Sequence, residues 1–471
     1  MKRNYLVFLF LSLVTVMGSS CKKWLDVSPK TQVRESEMLS SEQGYKDALT
    51  GVYLSMGSIN LYGCQLTMGA LDLMGQRYTG VTGTTSTEYR YLTYNYTDAG
   101  VKTQTALIWS EMYAAIGNLN NILSHIDGGR SLFSGNSYNQ VKGEALALRA
   151  MLHFDLLRMF GASPAEDQTR PAIPYVKEFN VQPTGLSSVK EVMDFCLTDL
   201  TAAAALLTTD KAIREDVADD QFKTYTRNHL NYWACKGLEA RIRLYAGDKG
   251  GALAAAQEVI SNTNLFPWII AANASITYNR DRLFVREHLF ALYDFDLKRV
   301  SDSLFKSANT SFTPVNSITT KALGTLYETS AGGSSDLRFL NQFTQVLTVN
   351  CTARYYQENL QFNYIKNQIP LIRLSEVYYI AAECAGVPAG VDYLNAVRTH
   401  RGLTALPANI AAASFTTEIT KEYKKEFYGE GQLFYYFKRR NASKIDGSTV
   451  VMSTDRYAFP LPADEIQYGK H

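Results

Sequence analysis

Apolar residues recur at three- and four-residue spacing over much of this chain. Residues 42–57 carry Tyr45, Ala48, Leu49, Val52 and Tyr53 on one stripe. Residues 105–126 carry Ile108, Met112, Ala115, Ile116, Leu119, Ile122 and Leu123, and residues 137–160 carry Val141, Ala145, Leu148, Leu152, Leu156 and Met159. This spacing predicts amphipathic helices that each set one face against a core. It also predicts helices over 187–207, 228–246, 250–261, 369–385, 390–400 and 416–439. Short glycine-bearing connectors such as Gly247-Asp248-Lys249-Gly250 and Ala385-Gly386-Val387-Pro388-Ala389-Gly390 join them. The helices therefore fall into pairs near 42–126, 137–207, 228–261 and 369–439. A helix pair buries its apolar face only by stacking on another pair. The expected fold is mainly all-α, with divergent tetratricopeptide-like helix pairs forming a right-handed superhelix, loop-rich insertions and minor short strands.

Two stretches break the helical pattern. Residues 60–104 are rich in Gly, Thr and Tyr, and residues 264–365 are long and irregular, with a Gly-Gly-Ser-Ser run at 332–335. Structureless segments of such length in a compact domain are functional or disordered. The first is too aromatic for a plain linker.

The first twenty residues read as a secretory leader. Lys2 and Arg3 precede an apolar run from Tyr5 to Met17, followed by the small residues Gly18, Ser19 and Ser20 and then Cys21. The run is too short for a membrane span, and no later segment reaches about 18 consecutive apolar residues. A cysteine directly after small residues resembles a bacterial lipobox, with Gly18 where that motif usually has Leu. The resemblance implies cleavage before Cys21 and lipidation of Cys21, leaving residues 21–471 as a single domain.

Charge and composition narrow the function classes. The formal net charge of +2 falls to about zero once Lys2 and Arg3 leave with the leader, so a nucleic-acid role has no electrostatic basis. Six scattered histidines form no metal-spaced pair, and no Walker loop, GxSxG or dinucleotide fingerprint is present, so neither metal nor cofactor is expected. His153, beside Phe154, reads as a satisfied helix residue. Cys196, Cys235 and Cys384 lie in helical patterns and read as small buried hydrophobes. Cys64 and Cys351 lie in irregular regions, where an exported protein could oxidise them. With 30 Tyr but only 4 Trp, the chain suits a short glycan or a peptide better than a long stacked polysaccharide.

Ordered motifs give a more specific indication. They are Lys22-Lys23-Trp24-Leu25-Asp26-Val27-Ser28-Pro29; Trp109, Tyr113, Ile116, Asn118 and Asn121; Glu144-Ala145 with Leu148-Arg149-Ala150, Phe154 and Phe160-Gly161; and Ile173-Pro174-Tyr175. Leu371-Ile372-Arg373-Leu374-Ser375-Glu376-Val377, then Glu422, Glu426-Phe427, Gly429-Glu430-Gly431, Lys438-Arg439 and Phe459-Pro460-Leu461-Pro462 complete the series. From Cys21 almost to its end the chain resembles the SusD/RagB family. It departs where Tyr423 follows Glu422, Gln432 stands in place of a usual Arg, and Tyr435 or Tyr436 replaces a common Asp; those positions bear on local packing. The resemblance implies a lipid-anchored protein at the outer membrane, facing the cell exterior. It also implies a SusC-like TonB-dependent barrel as partner, an oligosaccharide or peptide as cargo, and no catalysis.

The ligand is expected at the 76–96 loop, on Gln76, Arg77, Tyr78, Tyr89, Arg90, Tyr91, Tyr94, Asn95 and Tyr96. Flat rings stack on sugar C–H faces while Asn, Gln and Arg bond hydroxyls. The alternation of Tyr89 and Tyr91 fits one face of a short strand, and the bland reading of the loop is an edge hairpin packed on the helices. In the second insertion Tyr278 is the binding candidate, and Trp268 reads as cover for the third helix pair. Two other classes stay open. In one, the helical surface is an interaction scaffold on the outer membrane and the loops are passive. In the other, Glu426 and Glu430 form a glycosidase pair; the competing reading of those residues is a solvated ion-pair face among Lys424, Lys425, Lys438 and Arg439.

Overall fold

The structure is a computed structural model, and it describes residues 38–81, 83–216, 220–306 and 316–470. The leader, Cys21 and the Lys22–Pro29 motif lie outside the described residues. Ten principal helices carry the fold. The first four are α1 (Glu42–Met56), α2 (Ala99–Ile126), α3 (Ser137–Phe160) and α4 (Val189–Leu207). They are followed by α5 (Tyr232–Ala246), α6 (Lys249–Ile260), α7 (Leu374–Ala385), α8 (Ala389–His400), α9 (Ala412–Glu426) and α10 (Gln432–Arg439).

From α1 to α8 each helix packs on the next, and α9 packs on α7. This is the stacked, tetratricopeptide-like arrangement that the apolar spacing predicts. No helix among the described residues is long and apolar enough to cross a membrane.

Side-chain caps set many of the boundaries. Ser41 accepts from the Gly44 amide, Asp98 from Gly100 and Val101, and Asn231 from Trp233 and Ala234. At α4, Ser188 and Glu191 form a reciprocal capping box. Asp98 starts α2 six residues before the expected 105, because the cap sits ahead of the apolar stripe. Gly247 ends α5 at φ +86°, as a left-handed C-terminal glycine should. At the α7–α8 connection a Cβ on Gly390 would lie 2.3 Å from the Ala382 carbonyl oxygen, so only glycine allows this approach.

Three expectations about elements are corrected. The periodic segment 369–385 begins as a strand, β6 (Gln368–Arg373), which pairs antiparallel with β3 (His288–Tyr293) before α7 starts. Ile369, Pro370 and Ile372 favour extended backbone over a helix start. Segment 416–439 is two helices, because Gly429 and Gly431 adopt φ +79° and +68° and turn the chain. Residues 87–92 form a short helix capped by Ser86, so the strand expected from Tyr89 and Tyr91 is absent. The remaining strands are short antiparallel pairs: β1 (Pro171–Pro174) with β2 (Leu186–Ser188), and β4 (Phe343–Val346) with β5 (Val349–Thr352).

Helix α3 is buried on nearly every face and has no solvent stripe. Its polar residues are paired inside the core. Arg149 grips Asp199 through two bonds of 2.7 and 2.8 Å, and Tyr175 donates to the same carboxylate at 2.7 Å. His153 receives the Val176 amide on Nε2 at 3.0 Å and stacks on Tyr175, which fits its reading as a satisfied helix residue.

Candidate functional site

The 76–96 segment follows a short helix, Ala70–Met74, and its tyrosines turn inward. Tyr78, Tyr91, Tyr94 and Tyr96 are 3%, 2%, 5% and 8% exposed, so little of each ring reaches solvent. Tyr78 donates to the Met68 carbonyl, Tyr94 to Met74 and Tyr96 to Arg456, at 2.8, 2.8 and 2.6 Å. A buried phenol needs such an acceptor, and these rings serve as core with a polar tip. Tyr94, Asn95 and Tyr96 line a second open cleft, beside Phe459 and Arg456, and Tyr91 lines a smaller one. Tyr89, Arg90 and Asn95 are half-buried. Arg90 pairs with Asp98 at 3.6 Å, and Asn95 accepts from the Thr97 amide and hydroxyl.

Gln76 and Arg77 have a different setting. With Thr79 they form one wall of an open cleft of about 1400 Å³. Ile318 to Glu328 supply the facing wall, and Lys421, Lys424 and Asp446 contribute to the lining. Two bonds tie the walls together: the Thr79 amide donates to the Ser317 carbonyl at 2.7 Å, and the Thr319 amide donates to the Thr79 hydroxyl at 3.0 Å. Gln76 is steered by its own bonds to the Leu92 carbonyl and the Tyr94 hydroxyl. Lys421 meets Glu328 at 2.8 Å and Lys424 meets Asp446 at 3.0 Å. A concave, open space whose exposed lining is mostly apolar, with a few charged and polar groups set into it, has the form of a small-molecule site. The contribution of 318–328 was not visible in sequence, where that stretch carries no periodicity and no motif.

Tyr278 lies elsewhere, and it does not line this cleft. It is 59% exposed, beside Ile276 at 51%. The side-chain oxygen of Asn279 accepts from the Gln361 and Phe362 amides at 2.6 and 3.1 Å, so the loops bearing Tyr278 and Phe362 are joined. Phe362 is itself half-exposed and stacks on Tyr364 with centroids 5.6 Å apart and planes at 12°. The sequence reading missed both of these rings. Trp268 stacks on His400 at 4.7 Å and touches Tyr378, so it packs against α7 and α8.

Glu426 and Glu430 are not on a solvated face: they are 0% and 3% exposed. Arg338, Arg373 and Arg401 reach Glu426 at 2.7, 2.5 and 2.8 Å, and Arg373 and Arg354 bond Glu430. Arg338 also pairs with Asp336 and Glu422, and Arg401 with Glu287. Burial raises the Glu426 carboxyl, but Arg401, Arg373 and Arg338 outweigh it and hold the group well below the carboxylate range. At Glu430 burial wins over Arg373 and Arg354, and the group is raised. All four carboxylate oxygens accept from arginine, in a cluster closed to solvent. The three departures in the late motif are absorbed by ring packing. Tyr423 stacks on Tyr436 at 4.3 Å, Gln432 accepts from Arg158 at 3.0 Å, and Arg158 lies 3.8 Å from the Tyr435 ring centre.

The five described cysteines are free thiols, so Cys64 and Cys351 are not joined. Among the described residues there is no group of three or more metal-ligating side chains.

Comparison with known proteins follows the same architecture. A family model described as "SusD family" matches residues 207–467, and one described as "Starch-binding associating with outer membrane" matches residues 23–225. SusD-like protein P2 of Formosa agariphila is 24% identical over 520 residues, covering 99% of this chain and 97% of that protein. SusD-like protein P25 of the same organism is 22% identical over 299 residues; the match covers 62% of this chain and about half, 51%, of that relative. Among solved structures, a SusD superfamily protein from Bacteroides thetaiotaomicron superposes with a TM-score of 0.71 at 21% identity, covering 91% of this chain and 98% of the other. A SusD-like carbohydrate binding protein from Bacteroides vulgatus gives 0.71 at 18% identity, covering 91% and 96%.

Proposed function

Because the chain belongs to the SusD family, we propose that it is a surface lipoprotein that captures an oligosaccharide and hands it to a TonB-dependent barrel in the outer membrane. The observation that carries this reading is the open cleft between the 76–79 segment and residues 318–328, with Gln76 and Arg77 presented on its wall. Cys21 would hold the acyl chains, each buried CH₂ adding about 0.8 kcal/mol of membrane affinity. Tyr278, with Phe362 alongside, offers exposed ring area outside the cleft, suited to the apolar face of a second sugar unit. Tyr89, Arg90 and Asn95 remain half-accessible on the segment that leads away from it.

Capture without bond cleavage is the reading the carboxylates support. Glu426 and Glu430 are committed to arginines and closed to solvent, so the geometry offers no acid–base pair to a glycosidic oxygen. A passive-scaffold role has less support, because α3 is wrapped on nearly all sides and has no free face.

The test is a binding screen of the mature lipoprotein against a broad glycan panel, paired with affinity isolation from outer membranes. We expect saturable glycan binding, weakened by substitution of Gln76, and co-isolation of a barrel protein. A protein that binds none of the panel and isolates alone would sink the reading.

A further inference from the structure

Eight arginines are buried among the described residues, and seven of them ion-pair with a carboxylate. Arg77 is the exception. It is 5% exposed, its Nε is buried without a hydrogen-bond partner, and among the described residues no carboxylate lies within ion-pair distance. Its guanidinium sits over the Tyr428 ring, 5.1 Å from the centroid, and its edge lines the cleft. The carboxylate that acts on it from behind, Asp72, is occupied by the Gly429 and Gly431 amides at 2.6 and 2.9 Å. On the facing wall Lys321 is exposed and has no acidic partner, whereas Lys421 and Lys424 are paired with Glu328 and Asp446. The lining carries four cations and two carboxylates, and of the four cations Arg77 and Lys321 form no ion pair among the described residues.

A guanidinium this far from water costs stability unless an anion meets it. Everywhere else in this core that anion is supplied by the chain. We propose that at Arg77 it is supplied by the cargo: the cleft takes acidic oligosaccharides, and Arg77 binds a sugar carboxylate, with Lys321 meeting a second one across the cleft. This rests on the capture reading above and narrows it to uronate-type sugars. The planar fork of a guanidinium matches the two coplanar oxygens of a carboxylate, and the Tyr428 ring fixes its plane. Neutral sugars would leave both cations without a counter-charge.

The test is calorimetric titration of the mature protein with oligogalacturonate, oligomannuronate and hyaluronan oligosaccharides, each beside its carboxyl-reduced neutral counterpart and beside sulfated neutral chains. We expect at least one uronate to bind, with at least a tenfold loss on carboxyl reduction and weakening as salt is raised. Arg77→Lys keeps the charge but loses the fork, so it should cost about tenfold in affinity with thermal unfolding unchanged. Lys321→Ala, at an exposed position that cannot disturb the core, should cost several-fold. Equal binding of carboxyl-reduced chains, binding of sulfated chains alone, or unchanged uronate affinity in both variants would overturn the proposal and leave capture standing. A panel in which neither neutral nor acidic chains bind would overturn both.

Discussion

Arg338 and Glu426 sit 2.7 Å apart with neither side chain reaching solvent, and they join the second insertion to the last helix pair. Arg338 comes from the irregular 264–365 stretch, while Glu426 ends α9. Arg354 and Arg401 repeat the connection, from the insertion to Glu430 and from the end of α8 to Glu287. Removing one partner of such a buried pair strands the other charge. Glu426→Gln should therefore lower unfolding stability by about 3–5 kcal/mol, read as a shift of the denaturant midpoint. A loss under 1 kcal/mol would show that water reaches the cluster.

Stability should pass through a maximum in mildly acidic solution. Burial raises Asp72 and Asp281 to about 7 each, so the folded state binds more protons than the unfolded chain between the ordinary carboxyl value and neutrality. Their contribution rises as the pH falls through that window, but His153, held down to about 3 by burial, and His288, held down likewise, oppose it below the ordinary imidazole value. Glu422 has the opposite sign to the two aspartates: burial raises it, but Arg338, Lys425 and Arg398 overcome this and bring it to about 2. Its contribution is present above the ordinary Glu value and is lost as the pH falls toward 2. Melting temperature against pH should climb from pH 8 to about 6, level off while the acids and the two histidines oppose one another, and drop as the pH falls below about 4. Asp72→Asn should flatten the neutral limb.

The inward tyrosines and the exposed one should separate cleanly in mutagenesis. Tyr96→Phe removes a bond to the Arg456 carbonyl and should cost about 1 kcal/mol with no change in glycan affinity. Tyr278→Ala should leave stability within about 0.5 kcal/mol and weaken glycan binding. Calorimetry with the best ligand from the screen and a thermal melt of each variant check this. Weakened binding by Tyr96→Phe at unchanged stability would return the 76–96 rings to the ligand surface.

The thiols should be inert in the native protein. Burial pushes Cys64, Cys235 and Cys351 up to about 12 and Cys384 to about 11. Since the thiolate is the nucleophile, alkylation of these four at pH 8 should be slow until denaturant is added. Mass spectrometry of the native and denatured protein gives the count, and rapid native modification of Cys64 or Cys351 would contradict the packing.

The helix stack was legible because its signal is local: three-four spacing, caps and glycine turns act within a few residues. The helix at 369–385 was over-extended because Leu371 and Ile372 fit either period, and only pairing with the distant His288–Tyr293 strand decides between them. The burial of Glu426 was hidden for the same reason. Its local neighbours Lys424 and Lys425 suggest a wet face, while the arginines that claim it lie 25, 53 and 88 residues away. The tyrosines at 78, 94 and 96 look like a ligand surface in sequence because a phenol suits both roles; the carbonyls that receive their hydroxyls appear only in three dimensions.

The clamp around Glu426 has a consequence for how such a receptor could be retuned. Because the insertion is riveted from beneath by charges that never see cargo, its outer side chains are free to be exchanged without loosening the platform that carries them. Swapping Lys321 or Tyr278 would then change what is recognised while leaving the recognising surface in place.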